Sequence, residues 1–192
     1  MLYKKGFTLI ELIIVIALIA LLATTVILVI NPVKIFQEAR DSQRIADLGQ
    51  MNSAMSLMLA TSSTQPSMGS GTTKCYQLLT TYDCKTRYAT ASGITALQTP
   101  TTAGSQKVDG TGWVPVALGS SPAIAAWPKD PSDATTSNAT LFYSYAYDSS
   151  NAWEFSAKME SARYKATGTD DVEKTDGGNF DALFEVGTNV LL

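Results

Sequence analysis

The sequence predicts an α+β protein in which one long N-terminal helix, partly within a membrane, packs on a small antiparallel β-sheet. Three observations carry this expectation. Residues 12–30 are 19 consecutive uncharged, mostly apolar residues, about the length that crosses the hydrocarbon layer as a helix. Apolar side chains then recur at helical spacing as far as about residue 60. Around residue 150, two runs alternate large apolar residues with small or polar ones across a short turn, which is the pattern of a hairpin with one apolar face.

Composition bounds the rest. With the apolar segment set aside, 192 residues leave chain for one modest domain. The formal net charge is −3 and there is no histidine, which removes Ser-His-Asp and Cys-His nucleophile chemistry and the common zinc sites. No catalytic set stands out. Without a long basic run there is no footprint for nucleic acid. The polar part is rich in Thr, Ser, Ala and Gly, which suits an extracellular surface.

Lys4 and Lys5 precede the apolar run, so the positive-inside rule puts the N-terminus in the cytoplasm and the remainder outside. The run exceeds the 7–15 residues of a secretory signal core and lacks its terminal cleavage site. Between Lys5 and Lys34 the one charged residue is Glu11. A carboxylate inside a membrane costs ~3 kcal/mol or more, so Glu11 is a functional-site residue by default.

"KKGFTLIE" followed by an unbroken apolar stretch closely resembles the prepilin leader of type IV pilins and of the pseudopilins of type II secretion. The resemblance implies a leader at residues 1–6, cleavage between Gly6 and Phe7 by a prepilin peptidase, and N-methylation of Phe7. It divides the remainder into a transmembrane and filament-core helix (7–30), an amphipathic continuation (31–60) and a globular head (61–192). It also implies that Glu11 meets the Phe7 ammonium of a neighbouring subunit, since an unpaired charge in an apolar core is costly. The expected partners are other copies of the chain, other pilins, the peptidase, an assembly ATPase and a membrane platform protein. The expected location is the inner membrane, single-pass, and then an extracellular or periplasmic filament.

At "INPVKIF", Pro32 lacks an N–H and disfavours helix at Asn31, so a kink or local melting is expected. Beyond it, Ile35, Ala39, Ile45, Leu48, Met51, Met55 and Met58 form an apolar stripe that should pack on the sheet. Lys34 and Glu38, and Arg44 with Asp41 and Asp47, stand at pairing distances along the helix. These charges read as a solvated face or inter-subunit contacts.

Residues 61–73 form a loop by composition. Cys75 and Cys84, close together in an exported domain, read as a disulfide closing a short loop, or as two independent thiols. Residues 86–112 have no firm assignment, and "LQTPTTAGSQKVDGTG" reads as exposed loop. In the hairpin, Leu141, Tyr143, Tyr145 and Tyr147 oppose Trp153, Phe155, Ala157 and Met159, with Glu154, Ser156, Lys158 and Glu160 alternating outward. "ALFEVG" or "NVLL" would complete the sheet. "WPKDPSD" ahead of this Tyr-rich strand is similar to the head of the major pseudopilin family, although the cysteine loop, the long Thr/Ser insert and the tail beyond Arg163 depart from it. "NAT" at 138–140 matches a glycosylation acceptor.

No cofactor is expected, with one candidate metal. The acidic stretch after residue 165 either is a solvated loop or supplies calcium ligands, in which case Asp171, Asp176 and Asp181 are the candidates. The function expected is structural, a subunit of a pilus or pseudopilus polymerised into a helical filament. The alternatives are a type II secretion pseudopilin acting in protein export and a minor tip subunit for adhesion or DNA uptake.

Overall fold

Helix α1 spans Leu9–Ile30 and α2 spans Pro32–Thr61. The structure, a computed structural model, describes residues 6–64, 66–69, 71, 74–79, 84–88, 94, 96–98, 105–120, 122–132 and 140–192. Lys4 and Lys5, Asn138, and parts of the loops at 61–73 and 86–112 lie outside the described residues. The chain divides into two units, Met1–Gln37 and Glu38–Leu192.

The break between the helices is confined to one residue. Asn31 takes a left-handed conformation (φ 43°, ψ 80°), which asparagine tolerates better than most residues and which suits a helix C-terminus. Pro32 then occupies the first position of α2, where its missing N–H costs nothing. The expected kink is therefore a clean stop and restart.

In the second unit, strands β1 (Lys74–Gln77), β2 (Ala96–Gln98), β3 (Ser144–Tyr147), β4 (Trp153–Ala157) and β5 (Phe184–Gly187) form a sheet of order β2-β1-β3-β4-β5. Four strands are antiparallel neighbours, while β2 joins the β1 edge in parallel. The hairpin β3–β4 pairs Tyr145 with Phe155 and Tyr147 with Trp153. Its turn is closed by Asp148, whose Oδ1 accepts from the N–H groups of Ser150 (2.8 Å) and Ala152 (3.0 Å). "ALFEVG" supplies β5, and "NVLL" forms no strand.

One face of the sheet carries Tyr76, Tyr145, Tyr147, Trp153, Phe155 and Ala157 against Leu48, Met51, Met55 and Met58 of α2. The apolar stripe thus reaches the core only from Leu48 onward. Ile35 and Ala39 are exposed and Ile45 is half-buried. Polar ties fix the helix to the sheet: the Tyr143 hydroxyl donates to Asp47 (2.8 Å) and the Trp153 indole N–H donates to Asn52 (3.1 Å). The segment after residue 104 is more structured than its composition suggested. Trp113, Val114, Val116, Leu118 and Trp127 are buried in the same core, and the backbone N–H groups of Trp113 and Trp127 donate to the carbonyls of Ser105 and Gln106.

Where the stripe lacks apolar residues, α2 buries charge. Arg44 is fully buried; its Nε and Nη2 donate to Asp130 (2.7 Å each), its Nη1 to Asp41 (2.7 Å) and its Nη2 to Glu160 (2.7 Å). Asp41 in turn accepts from the N–H groups of Glu160 (2.9 Å) and Ser161 (2.7 Å). The expected solvated face is therefore, at Asp41 and Arg44, an internal network joining α2 to the "WPKDPSD" turn and the end of β4. Burial opposes the charge on Arg44, but its carboxylate partners outweigh that and raise its pKa. Of the other expected pairs, Asp47 is taken by Tyr143 and Glu38 meets Arg163 (3.3 Å).

The opposite face of the sheet is also covered. The short helix α3 (Lys85–Tyr88), with Cys84, Ile94, Phe142 and Leu192, packs over Cys75 and Ala146. Glu154 and Ser156, expected to point into solvent, are fully buried there. A strand alternates two faces, and the period alone does not say whether the second one meets water.

Candidate functional site

The residues singled out at the N-terminus lie just ahead of and inside the first turn of α1. Gly6, Phe7 and Thr8 are non-helical, and Phe7 is 94 % exposed. A Cβ on Gly6 would meet nothing within 4 Å. The fold of this chain therefore makes no steric demand for glycine at this position.

Thr8 is the N-cap. The Glu11 backbone N–H donates to Thr8 Oγ1 (3.3 Å), while Glu11 Oε2 accepts from the Thr8 backbone N–H (2.7 Å) and hydroxyl (2.9 Å). This reciprocal capping box satisfies donors that the start of a helix leaves unpaired. Glu11 thus has a local partner in the isolated chain. The signal was present in "TLIE", a Thr three residues ahead of a Glu.

Beyond the cap, α1 is apolar on every side. From Leu9 to Ile27, and at Ile30, its large apolar side chains stand 50–76 % exposed, and the stretch Leu9–Ile27 is long and apolar enough to cross a membrane. Such a helix is stable only inside lipid or inside a protein core. Its two hydroxyls are already satisfied, with Thr24 donating to the Ala20 carbonyl (2.7 Å) and Thr25 to that of Leu22 (2.8 Å). Unsatisfied polar groups are costly in hydrocarbon, and here the threonines return theirs to the helix.

Cys75 and Cys84 form a disulfide that closes a nine-residue separation between β1 and α3. The three carboxylates considered for calcium are engaged separately. Asp171 accepts from the N–H groups of Thr167 (2.8 Å) and Lys174 (2.9 Å), which hold its pKa below the usual range. Asp176 accepts from Gly178 (2.9 Å) and Glu185 (2.6 Å), and its burial raises its pKa. Asp181 lies 3.9 Å from Lys174. Among the described residues, no group of three or more His, Cys, Asp or Glu is placed to hold a metal ion.

Residues 1–27 match the family model of the prokaryotic N-terminal methylation motif. No curated protein and no solved structure matches the chain. The match covers the leader and most of α1, and it leaves the head without a counterpart.

Proposed function

We propose that this chain is the precursor of a structural filament subunit, a type IV pilin-like or pseudopilin protein. On this reading it waits in the cytoplasmic membrane through α1, with the head on the outer side. A prepilin peptidase cuts between Gly6 and Phe7 and methylates Phe7. An assembly ATPase and a platform protein then add it to a helical fibre, and the subunit carries out no catalysis.

The observation that carries the reading is a capped, all-round apolar helix directly behind Gly6. Glycine there serves nothing within this fold, so the need for it lies with whatever recognises the segment from outside. The apolar helix serves twice, first in lipid and then in the fibre core. The cysteine loop, the long Thr/Ser insert and the tail beyond Arg163 depart from the major pseudopilin head, which favours a pilus subunit over a secretion pseudopilin.

Mass spectrometry of the processed protein tests the proposal. The expected N-terminus is N-methylated Phe7. Assembled material that retains Met1 and an unmodified Gly6–Phe7 bond would overturn it.

A further inference from the structure

We propose that Glu154 and Glu185 share a single proton on the covered face of the sheet, and that this acid–carboxylate pair latches the C-terminal segment and lets it go as the medium turns alkaline. The two residues stand on adjacent antiparallel strands, diagonal to one another, since Glu154 pairs with Gly187 and Ser156 with Glu185. Both are buried, at 0 % and 2 % exposure. Each commits its Oε2 to a backbone N–H: Leu192 donates to Glu154 (3.0 Å) and Phe180 to Glu185 (3.1 Å). Each is left with an Oε1 that is buried and lacks any donor.

The register sets both side chains on one face of adjacent strands, each with an orphaned oxygen in the same buried layer, and two carboxylates cannot hydrogen-bond to each other, because both only accept. One proton between them satisfies both orphaned oxygens at once. Without it, two like charges would sit side by side in a dry layer, the arrangement that raises one carboxyl strongly in paired-acid sites.

The groups facing the pair do not supply an alternative. From α3, the Tyr88 hydroxyl is within 3.3 Å of Ser144 Oγ and Ser156 Oγ. Arg87 donates to the carbonyls of Phe142 (2.8 Å), Thr140 (3.0 Å) and Ser156 (3.2 Å) and to the hydroxyls of Ser144 (3.0 Å) and Ser156 (3.4 Å). Among the described residues, neither it nor any other cation forms an ion pair with either glutamate. From the turn before β5, Asp176 adds a further negative charge. Burial first, and then this surrounding charge, pushes both glutamates above the ordinary carboxyl range. Gly178 packs so tightly on Glu185 that a Cβ there would overlap its carboxylate, so the pair has little room to move apart.

A carboxyl whose pKa is higher folded than unfolded holds its proton more tightly when folded. Its contribution is complete below the ordinary carboxyl range and is lost as pH rises through the folded value. Losing the proton to solvent base leaves two buried charges, and the element with the fewest other ties should yield. That element is the segment bearing Leu192, whose N–H is held over the sheet by Glu154.

The test uses the full chain in detergent micelles, with tryptophan fluorescence as the probe, because all three tryptophans lie in the second unit. The melting temperature should fall by ~10 °C between pH 6 and pH 9.5. In Glu185→Gln and Glu154→Gln, where the amide supplies the missing donor without a titrating proton, the fall should shrink to about a third of that. At pH 9 the amides of Phe180 and Leu192 should exchange at least ~10-fold faster in the parent chain than in Glu185→Gln. Infrared spectra at pH 7 should show a protonated carboxyl band that either glutamine variant removes. Parallel pH curves in all three proteins, or no such band, would overturn the proposal. So would calcium raising the melting temperature while the band is absent, which would make the pair a cation site.

Discussion

On the proposed function Glu11 has two demands on it, and single substitutions separate them. Within the chain it caps α1 through Thr8, a task that glutamine performs as well. In a fibre it is expected to meet a Phe7 ammonium, a task that needs charge. Glu11→Gln should therefore insert into the membrane normally and yield at least ~10-fold fewer filaments, counted by electron microscopy. Thr8→Ala, which loses the cap but retains the charge, should assemble nearer to the parent level. If the ranking is reversed, the local cap matters more than the charge. Arg44 makes the complementary case, a charge whose partners are all internal. Arg44→Ala strands Asp41 and Asp130 in a buried site, which should cost about 3–5 kcal/mol in urea unfolding. Arg44→Ala/Asp130→Ala should recover part of that loss.

The elements differ in how they are held. Helix α2 is anchored along its second half by Leu48 and the methionines and at its centre by the Arg44 network. The layer made by α3 has few apolar residues of its own, and the Cys75–Cys84 disulfide ties it to β1. The loop is short, so joint replacement of both cysteines by serine should cost about 2–3 kcal/mol. The stability curve should keep one transition, because the main core on the other face of the sheet is untouched. Loss of the whole head on reduction would show that the covering layer, and not the α2 face, nucleates the sheet.

At the scale of the whole molecule, the two units answer to different solvents. Among the described residues, unit Met1–Gln37 exposes mainly apolar side chains, whereas Glu38–Leu192 has an interior whose buried polar groups are paired apart from the Trp127 indole N–H and one oxygen each of Glu154 and Glu185. Detergent should therefore be needed to keep the full chain dispersed, while the fluorescence transition reports on the second unit. Asp171 and Asp176 are each committed to backbone N–H groups and Asp181 lies beside Lys174, so EGTA should leave the melting temperature within about 1 °C. A drop that calcium restores would identify ligation by this loop.

The sequence by itself determined the features that depend on local pattern. The apolar run, the basic residues and glycine before it, the break at Asn31–Pro32 and the Tyr-rich hairpin are all set by composition and period within a few residues, whereas the choice of "ALFEVG" over "NVLL" as the last strand came from pairing with β4. The capping role of Thr8 was equally local and legible in "TLIE". Tertiary structure alone decided which polar residues are buried. Asp41 and Arg44 look like any surface pair on a helix, and Glu154 looks like the solvent side of a hairpin. Each is enclosed because a distant segment closes over it: the Asp130 turn over Arg44, and α3 with Leu192 over Glu154. The parallel edge strand β2 and the burial of Trp113 and Trp127 arise in the same way. Burial is a property of pairs of segments far apart in the chain, and no periodicity within one of them records what the other will cover.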